Sequence, residues 1–339
     1  MEHSAAISNS TPKVTVVVPV YNAASFIEKC SRSLFEQTLK EIEYIFIDDK
    51  SPDNSIEVLN RVMEDYPERK PYIRILRNSE NQGVAAVREK AIKEATGEYI
   101  VHCDSDDWVD LELYERMYKT ALRDGADIVF CDLIFEGEKS QTLLKAGDVL
   151  KSGKEMLKAL NESNVTLYLP AKMIRRRLHT ENDIYPWPGL NMSEDNALLL
   201  RLLYHAQRLS KTDGVAYHYF RMNPNSITTG SGEWIAEQLI ENISRVSEFF
   251  RQKEDGEEFE RIINIYKYMA RLFLVSDSYK KYFKFLKTFP ESKKAAHDVN
   301  PSTLNRPMRM KLKLIRSGFG LLYITLFKII KLLKKRNIR

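Results

Sequence analysis

The stretch Glu98-Tyr99-Ile100-Val101-His102-Cys103-Asp104-Ser105-Asp106-Asp107 decides the fold. Its apolar front half is short, follows Gly97 and runs straight into carboxylates. That reads as a buried strand whose carboxyl end opens on a polar turn. Two carboxylates one residue apart in such a turn can address a common space. Oxygen donors in that number suit Mg²⁺ or Mn²⁺ held jointly with a diphosphate. Taken alone, the motif better suits a solvated acidic turn or, through Asp106 and Asp107, the N-terminus of the helix expected from Leu111, so the surroundings must decide.

Working outward, Val14-Thr15-Val16-Val17-Val18-Pro19-Val20 is a β-branched run and reads as a second buried strand. Helical spacing follows over 25–35 through Phe26, Cys30 and Leu34. A strand over 43–47 ends in Asp48-Asp49. A helix over 55–63, a strand over 73–76, a helix over 84–94 closed by Gly97, a helix over 111–122 and a strand over 127–131 complete the pattern. Strands alternating with helices predict an α/β fold, with a mostly parallel central sheet covered by helices on both faces. Ligands in such sheets sit beyond the carboxyl ends of the strands. Asp48-Asp49 and the Asp104 cluster both fall there.

Residues 139–230 read as looser, with an aromatic and proline-rich stretch at Tyr185-Pro186-Trp187-Pro188. From 233 to 289 the pattern is helical, with Ile235, Leu239, Ile243 and Val246 at three- and four-residue spacing. Residues 301–307 read as a linker, and 1–12 as a polar, disordered N-terminus.

Charge is uneven. Lys311, Lys313, Arg316, Lys328, Lys331, Lys334, Lys335, Arg336 and Arg339 face no acidic residue between 311 and 339, and removing these nine from the net +5 leaves the body at −4. A nucleic-acid-binding body is therefore not expected, but a basic tail is. Phe319, Leu322, Tyr323, Leu326, Phe327, Ile330 and Leu333 recur in that tail at three and four. A basic amphipathic helix on an anionic membrane surface fits this, and a helix docked on the protein is the alternative. Cys30, Cys103 and Cys131 share no metal-ligand spacing and suit free thiols in a reducing cytosol. The N-terminal residues lack the apolar core of a signal peptide, and no stretch reaches the roughly 18 apolar residues of a membrane span.

Six motifs in order from about Val14 to Thr228 resemble family 2 glycosyltransferases of the GT-A type. They are Pro19-Val20-Tyr21-Asn22; Asp48-Asp49-Lys50-Ser51-Pro52-Asp53; Asn81-Gln82-Gly83 leading to Arg88; Gly97-Glu98-Tyr99 before Asp104-Ser105-Asp106; Glu194-Asp195; and Tyr219-Phe220-Arg221 running to Ser226-Ile227-Thr228. The resemblance implies a GT-A, Rossmann-like sheet followed by a helical C-terminal region. Together with the periodicity and charge above, it divides the chain into a catalytic domain over 13–230 (a nucleotide-sugar half, 13–115, and an acceptor half, 116–230), a helical region over 231–300 and a basic amphipathic membrane-associating tail over 308–339. Lys50 stands where the family usually has glycine, so the turn is expected to lack its usual positive-φ position. Glu89 likewise replaces a more usual asparagine.

The resemblance also implies roles. Pro19, Tyr21, Asn22, Asp49, Asn81, Gly83, Arg88, Asp104, Ser105 and Arg221 bind the nucleotide sugar. Tyr21 stacks on the base, or else packs in the core. Asp49 accepts a base imide N–H, which favours uracil. Asp53 caps the helix from Ser55 or meets ligand. Arg88 pairs with the diphosphate, or with Glu89 or Glu94 on the helix surface. Asp104 and Asp106 hold Mn²⁺ or Mg²⁺, with His218 as a further ligand or a packed residue. Asp195 is the general base for an acceptor hydroxyl with Glu194 beside it, or the two cap a helix over 196–203. A base opposite the leaving diphosphate implies inversion. Tyr185 to Gly189 form an acceptor platform or simply pack, and the role of Lys172 stays open. The expected protein is an inverting, metal-dependent glycosyltransferase using a UDP-sugar. Its acceptor is a glycan or lipid-linked glycan in cell-surface polysaccharide synthesis, and it works in the cytoplasm, peripheral on the inner face of the membrane. A nucleotidyltransferase of related fold and a non-catalytic membrane-associated scaffold are the alternatives. The first would carry a glycine- and basic-rich phosphate loop, which 19–24 lacks.

Overall fold

The computed structural model describes residues 11–138, 140–224, 232–276, 278–301, 304 and 306–336. Most of the N-terminal segment, Ser226-Ile227-Thr228 and part of the linker region lie outside them. The chain forms two compact units. One comprises Met1–Met156, Asn164–Asn191 and Leu202–Asn225; the other comprises Leu157–Ser163, Met192–Arg201 and Ser226–Arg339.

The first unit is built on a nine-stranded sheet: β1 (Val14–Val20), β2 (Ile42–Asp48), β3 (Ile73–Arg77), β4 (Tyr99–His102), β5 (Trp108–Val109), β6 (Ile128–Glu136), β7 (Gln141–Leu144), β8 (Lys172–Arg175) and β9 (Leu209–Phe220). Their order is β3-β2-β1-β4-β8-β6-β9-β5, with β7 paired to β6. The pairs β1–β2, β1–β4, β2–β3 and β6–β9 are parallel, and β8 runs antiparallel between β4 and β6. Strands β1, β2, β3, β4, β6 and β9 therefore share one direction, which makes the sheet mostly parallel. Val14, Val16, Val17 and Val18 are fully buried, as both faces of a covered parallel strand require. Because β3, β2, β1 and β4 are adjacent and parallel, their carboxyl ends fall along one edge. The β1–β2 register pairs Val20 with Asp48 there.

The helices in chain order are α1 (Ile27–Phe35), α2 (Ser55–Glu64), α3 (Val84–Glu94), α4 (Leu113–Asp124), α5 (Gly153–Ala159), α6 (Arg177–Thr180) and α7 (Glu194–His205). Helix α1 buries Ile27, Cys30 and Leu34 at the spacing its sequence shows. The described residues 140–224 prove more ordered than their sequence suggests, holding β7, α5, β8, α6, α7 and β9. Strand β8 has only four residues, and β9 carries a register shift opposite Cys131/Asp132, so neither shows a sustained period of two.

One expectation is overturned at Lys50. The turn keeps its left-handed position, and exposed Lys50 takes φ +60° in it. For a residue with a Cβ that conformation costs about 1–2 kcal/mol. Glycine adds back unfolded-state entropy worth roughly 0.4–1 kcal/mol. Lys50→Gly is therefore expected to raise the unfolding free energy by about 0.5–1 kcal/mol, read as a higher denaturant midpoint at unchanged slope. A lower midpoint would contradict the strain.

The second unit contains α8 (Gly232–Arg251), α9 (Glu260–Leu272), α10 (Tyr279–Lys287), α11 (Arg306–Arg316) and α12 (Gly320–Arg336). Buried Ile235, Ile243, Val246 and Phe250 of α8 and Ile262, Ile263 and Ile265 of α9 form its apolar interior. The tail is two helices rather than one, broken at Gly318, where φ is +81°. Met308, Leu312, Tyr323 and Ile324 are buried, whereas Met310, Phe319, Leu321, Leu322, Leu326 and Phe327 are exposed. Thr325 and Tyr279 share a hydroxyl–hydroxyl bond of 3.0 Å, tying α12 to α10. The tail thus docks through one face and leaves another apolar face open. Among the described residues no helix is long and apolar enough to cross a membrane.

Candidate active site

The carboxyl edge of β3-β2-β1-β4 carries most of the residues singled out in the sequence. Pro19 is the penultimate residue of β1, and Tyr21 follows the strand with 52% of its surface exposed. A core role for Tyr21 is thereby excluded, and its ring is open to stack. Asn22 takes φ +51°, tolerable for an asparagine, and its amide donates to Ser51 Oγ at 2.8 Å. Asp53 receives the Ala24 amide (2.8 Å) and the hydroxyls of Ser51 and Ser55. Burial pushes its carboxyl up, but those hydrogen bonds outweigh burial and hold it below the usual range. It therefore knits the β1 turn to the start of α2.

Asp49 is 3% exposed. Its Oδ1 accepts Asn78 Nδ2 (2.8 Å) and the Gln82 amide (2.9 Å), and its Oδ2 accepts the Gly83 amide (2.8 Å). Asn81 Nδ2 reaches the Asp49 carbonyl at 3.4 Å. Three donors on one carboxylate leave a single lone pair on Oδ2, so the main task of Asp49 is to shape the 78–83 loop. Gly83 must be glycine twice over. Its φ is +83°, and a Cβ would lie 2.3 Å from Asn191 Nδ2. Asn191 Oδ1 in turn accepts the Ala85 amide (3.0 Å), capping α3 from a distant point in the chain.

Arg88, on α3, is 4% exposed and pairs with Asp104 Oδ1 at 2.6 Å. On the surface of the same helix, Glu89 holds Lys93 and Glu94 holds Arg74. After β4 the acidic turn is fixed from below. The Asp104 amide donates to the Tyr217 hydroxyl (3.0 Å), which donates to Asp107 Oδ2 (2.6 Å), and Asp107 Oδ1 accepts the Phe220 amide (2.7 Å). Asp107 is 1% exposed, and burial with Asp106 and Asp104 nearby raises its pKa well above the ordinary value. It is the anchor of the motif, while Ser105 and the partly exposed Asp104 and Asp106 are the residues presented. Asp106 Oδ2 accepts Asn223 Nδ2 (2.7 Å), and burial together with Asp104 raises its pKa.

Asp104 and Asp106 offer oxygen only, and among the described residues no third His, Cys, Asp or Glu completes a ligand set. That donor set fits Mg²⁺ or Mn²⁺, whose remaining positions are filled by water and substrate phosphate. His218 does not belong to it. Its Nδ1 bonds Glu136 Oε1 (2.7 Å), its Nε2 bonds Asp110 Oδ1 (3.0 Å), and its ring stacks on Trp108. With both nitrogens engaged it has none for a metal. Arg221 lays its guanidinium over the Phe135 ring at 3.8 Å, and its amide donates to the Glu136 carbonyl. Lys172 is 2% exposed, with Nζ on the Tyr168 carbonyl (3.1 Å). Tyr185 stacks on His179 and receives Lys93 over its ring at 5.0 Å.

Glu194 and Asp195 lie in the second unit, in the first turn of α7. Glu194 is 8% exposed. Asp195 Oδ1 accepts the Asn196 amide at 2.7 Å, the N-terminal bonding that acidic residues offer a helix. Sequence reasoning missed Asn78, Asp107, Asn191, Tyr217 and Asn223. Of these, Asp107 stood in the acidic run, where it read as the start of a helix.

Residues 15–182 match the model of glycosyl transferase family 2. The glycosyltransferase EpsJ of Bacillus subtilis is 34% identical over 223 residues, which span 64% of this chain and 63% of that protein. A poly(ribitol-phosphate) beta-glucosyltransferase of Bacillus spizizenii is 30% identical over 61% of this chain and 32% of its own length. Among solved structures, TarS 1–349 of S. aureus in complex with UDP-GlcNAc superposes with a TM-score of 0.69 at 18% identity, over 94% of this chain and 91% of that one. That likeness carries the GT-A fold. Through residues 15–182 the chain belongs to glycosyl transferase family 2.

Proposed function

We propose that this chain is an inverting, metal-dependent glycosyltransferase that moves a sugar from a UDP-sugar to a glycan or lipid-linked glycan acceptor. The observation that carries the reading is the buried Arg88 guanidinium joined to Asp104 at the carboxyl end of the parallel strands. A guanidinium and two carboxylates at that edge suit a diphosphate and a divalent cation together. Exposed Tyr21 on the same edge offers its ring to the base, while Asp49 holds the 78–83 loop in shape. Asp104 and Asp106 would hold Mg²⁺ or Mn²⁺, which would supply charge against the departing diphosphate. Asp195 accepts the proton of the acceptor hydroxyl as its oxygen bonds the anomeric carbon and the bond to the diphosphate breaks. Attack opposite the leaving group inverts that carbon. The reading fits cell-surface polysaccharide synthesis, in keeping with the named activity of the Bacillus spizizenii relative. A panel of nucleotide sugars with Mn²⁺, with and without lipid-linked acceptors, tests it through nucleoside diphosphate release. Silence across the panel would reject it.

The two tail helices extend the proposal to a membrane. Exposed Leu321, Leu322, Leu326 and Phe327 beside a basic, acid-free segment suit the interface of an anionic bilayer at the cytoplasmic face. Since Leu312 and Ile324 are buried, deleting the tail would also damage the fold, and point changes are the sharper probe. Leu322→Glu/Leu326→Glu is expected to cut co-sedimentation with phosphatidylglycerol vesicles about tenfold or more. Retention equal to the parent protein would remove the membrane from the reading.

A further inference from the structure

The C-terminal helices α8 to α12 have no evident part in the chemistry proposed above, yet one side chain of α8 reaches the segment that presents Glu194 and Asp195. Asn242, in the middle of α8, is 3% exposed, and its Nδ2 donates to the Met192 carbonyl at 2.8 Å. Met192 immediately precedes Ser193, which stands at φ +64° without being glycine. A left-handed serine costs about 1–2 kcal/mol, and persists only when its surroundings over-determine it.

Those surroundings are visible. The Ser193 carbonyl accepts the Ala197 amide at 3.2 Å, and its Oγ accepts Asn196 Nδ2 at 2.9 Å. Asn196 Nδ2 also reaches Asp195 Oδ1 at 3.1 Å. On the near side of the turn, Asn242 grips the peptide that joins Met192 to Ser193. Without that donor, the Met192 carbonyl loses its hydrogen bond and the serine is free to relax to negative φ. Relaxation would re-aim Glu194 and Asp195, because the direction of the first turn of α7 is set by the dihedrals just before it. The Oδ1 of Asn242 is buried with no hydrogen-bond partner. The residue therefore contributes a donor at one point rather than a general polar filling.

We propose that Asn242 is a positioning residue, which locks the strained Ser193 turn and so fixes the direction in which Asp195 and Glu194 are presented. This assigns the C-terminal helices a part in catalysis, and it rests on the reading of Asp195 as general base. Those helices are then more than a scaffold for the tail. Helix α8 fixes an angle on which proton transfer depends, since a displacement on the order of 1 Å in a reacting group can cost about 10²-fold in rate.

The test uses the full chain and three variants. Asn242→Leu keeps the side-chain bulk and removes the donor. It is expected to lower kcat by about 10- to 100-fold while the dissociation constant for UDP with Mn²⁺ stays within about twofold. Ser193→Gly alone is expected to keep full activity, because glycine takes φ +64° freely. The double variant is expected to recover at least about tenfold of the lost kcat, since a turn without strain has less need of its lock. A merely structural role for Asn242 would not be rescued by relieving strain at Ser193. Full activity in Asn242→Leu, or no recovery in the double variant while Ser193→Gly remains active, overturns the proposal. Failure of the base assignment has a separate signature, namely transfer by Asp195→Asn whatever Asn242→Leu does.

Discussion

Asp195→Asn is expected to lower kcat by about 10³-fold, the middle of the range for a positioned general base, and to leave donor binding within about twofold. The substitution is close to isosteric. Asparagine keeps an Oδ1 that can accept the Asn196 amide, now 2.7 Å from the carboxylate, so the first turn of α7 retains its cap. What disappears is the basic oxygen that would take the acceptor's proton. Loss of one negative charge at a helix N-terminus costs roughly 0.3–1 kcal/mol of stability, too little to unfold a protein of this size. Stereochemistry gives a second check, because the anomeric carbon of the parent enzyme's product should be inverted. Transfer by the variant within about tenfold of the parent would take the base role from Asp195.

Asp106→Ala is expected to weaken UDP binding in the presence of Mn²⁺ by at least about tenfold, or 1.4 kcal/mol, and to leave metal-free binding unchanged. Removing the carboxylate deprives a divalent cation of one of the two acidic side chains the turn presents. The anchor beneath survives, since Asp107 is held independently by Tyr217 and the Phe220 amide. Asn223 loses its acceptor, a smaller effect near the surface. Chelation of the parent protein should reproduce the same loss. Isothermal titration of both proteins with UDP, with and without Mn²⁺, resolves the four states. Undiminished metal-dependent binding by Asp106→Ala would exclude it from the cation site.

These two residues also show how far the sequence reaches. The strands ending in Asp48 and His102 were legible because parallel strands buried on both faces need unbroken apolar runs, and carboxylates end those runs abruptly. The shared direction of five of the parallel strands and the edge that carries the site followed from that alternation alone. Strands β8 and β9 were not legible, one being too short and the other bulged, so neither repeats long enough to establish a period. The meaning of Asp107 was hidden for a different reason. Its partners, Tyr217 and Phe220, are more than a hundred residues away.

By itself, then, the sequence determined the elements of the first half, the glycosyltransferase family and the identity of the acidic turn, because each depends on residues adjacent in the chain. Only the tertiary structure decided which carboxylate anchors and which is presented. It also engaged both nitrogens of His218 with Glu136 and Asp110, buried Arg88 against Asp104, kept Lys50 left-handed and broke the tail at Gly318. Those outcomes depend on what burial and long-range hydrogen bonds leave available to each polar atom. That allocation is made between segments far apart in sequence, where no local pattern records it.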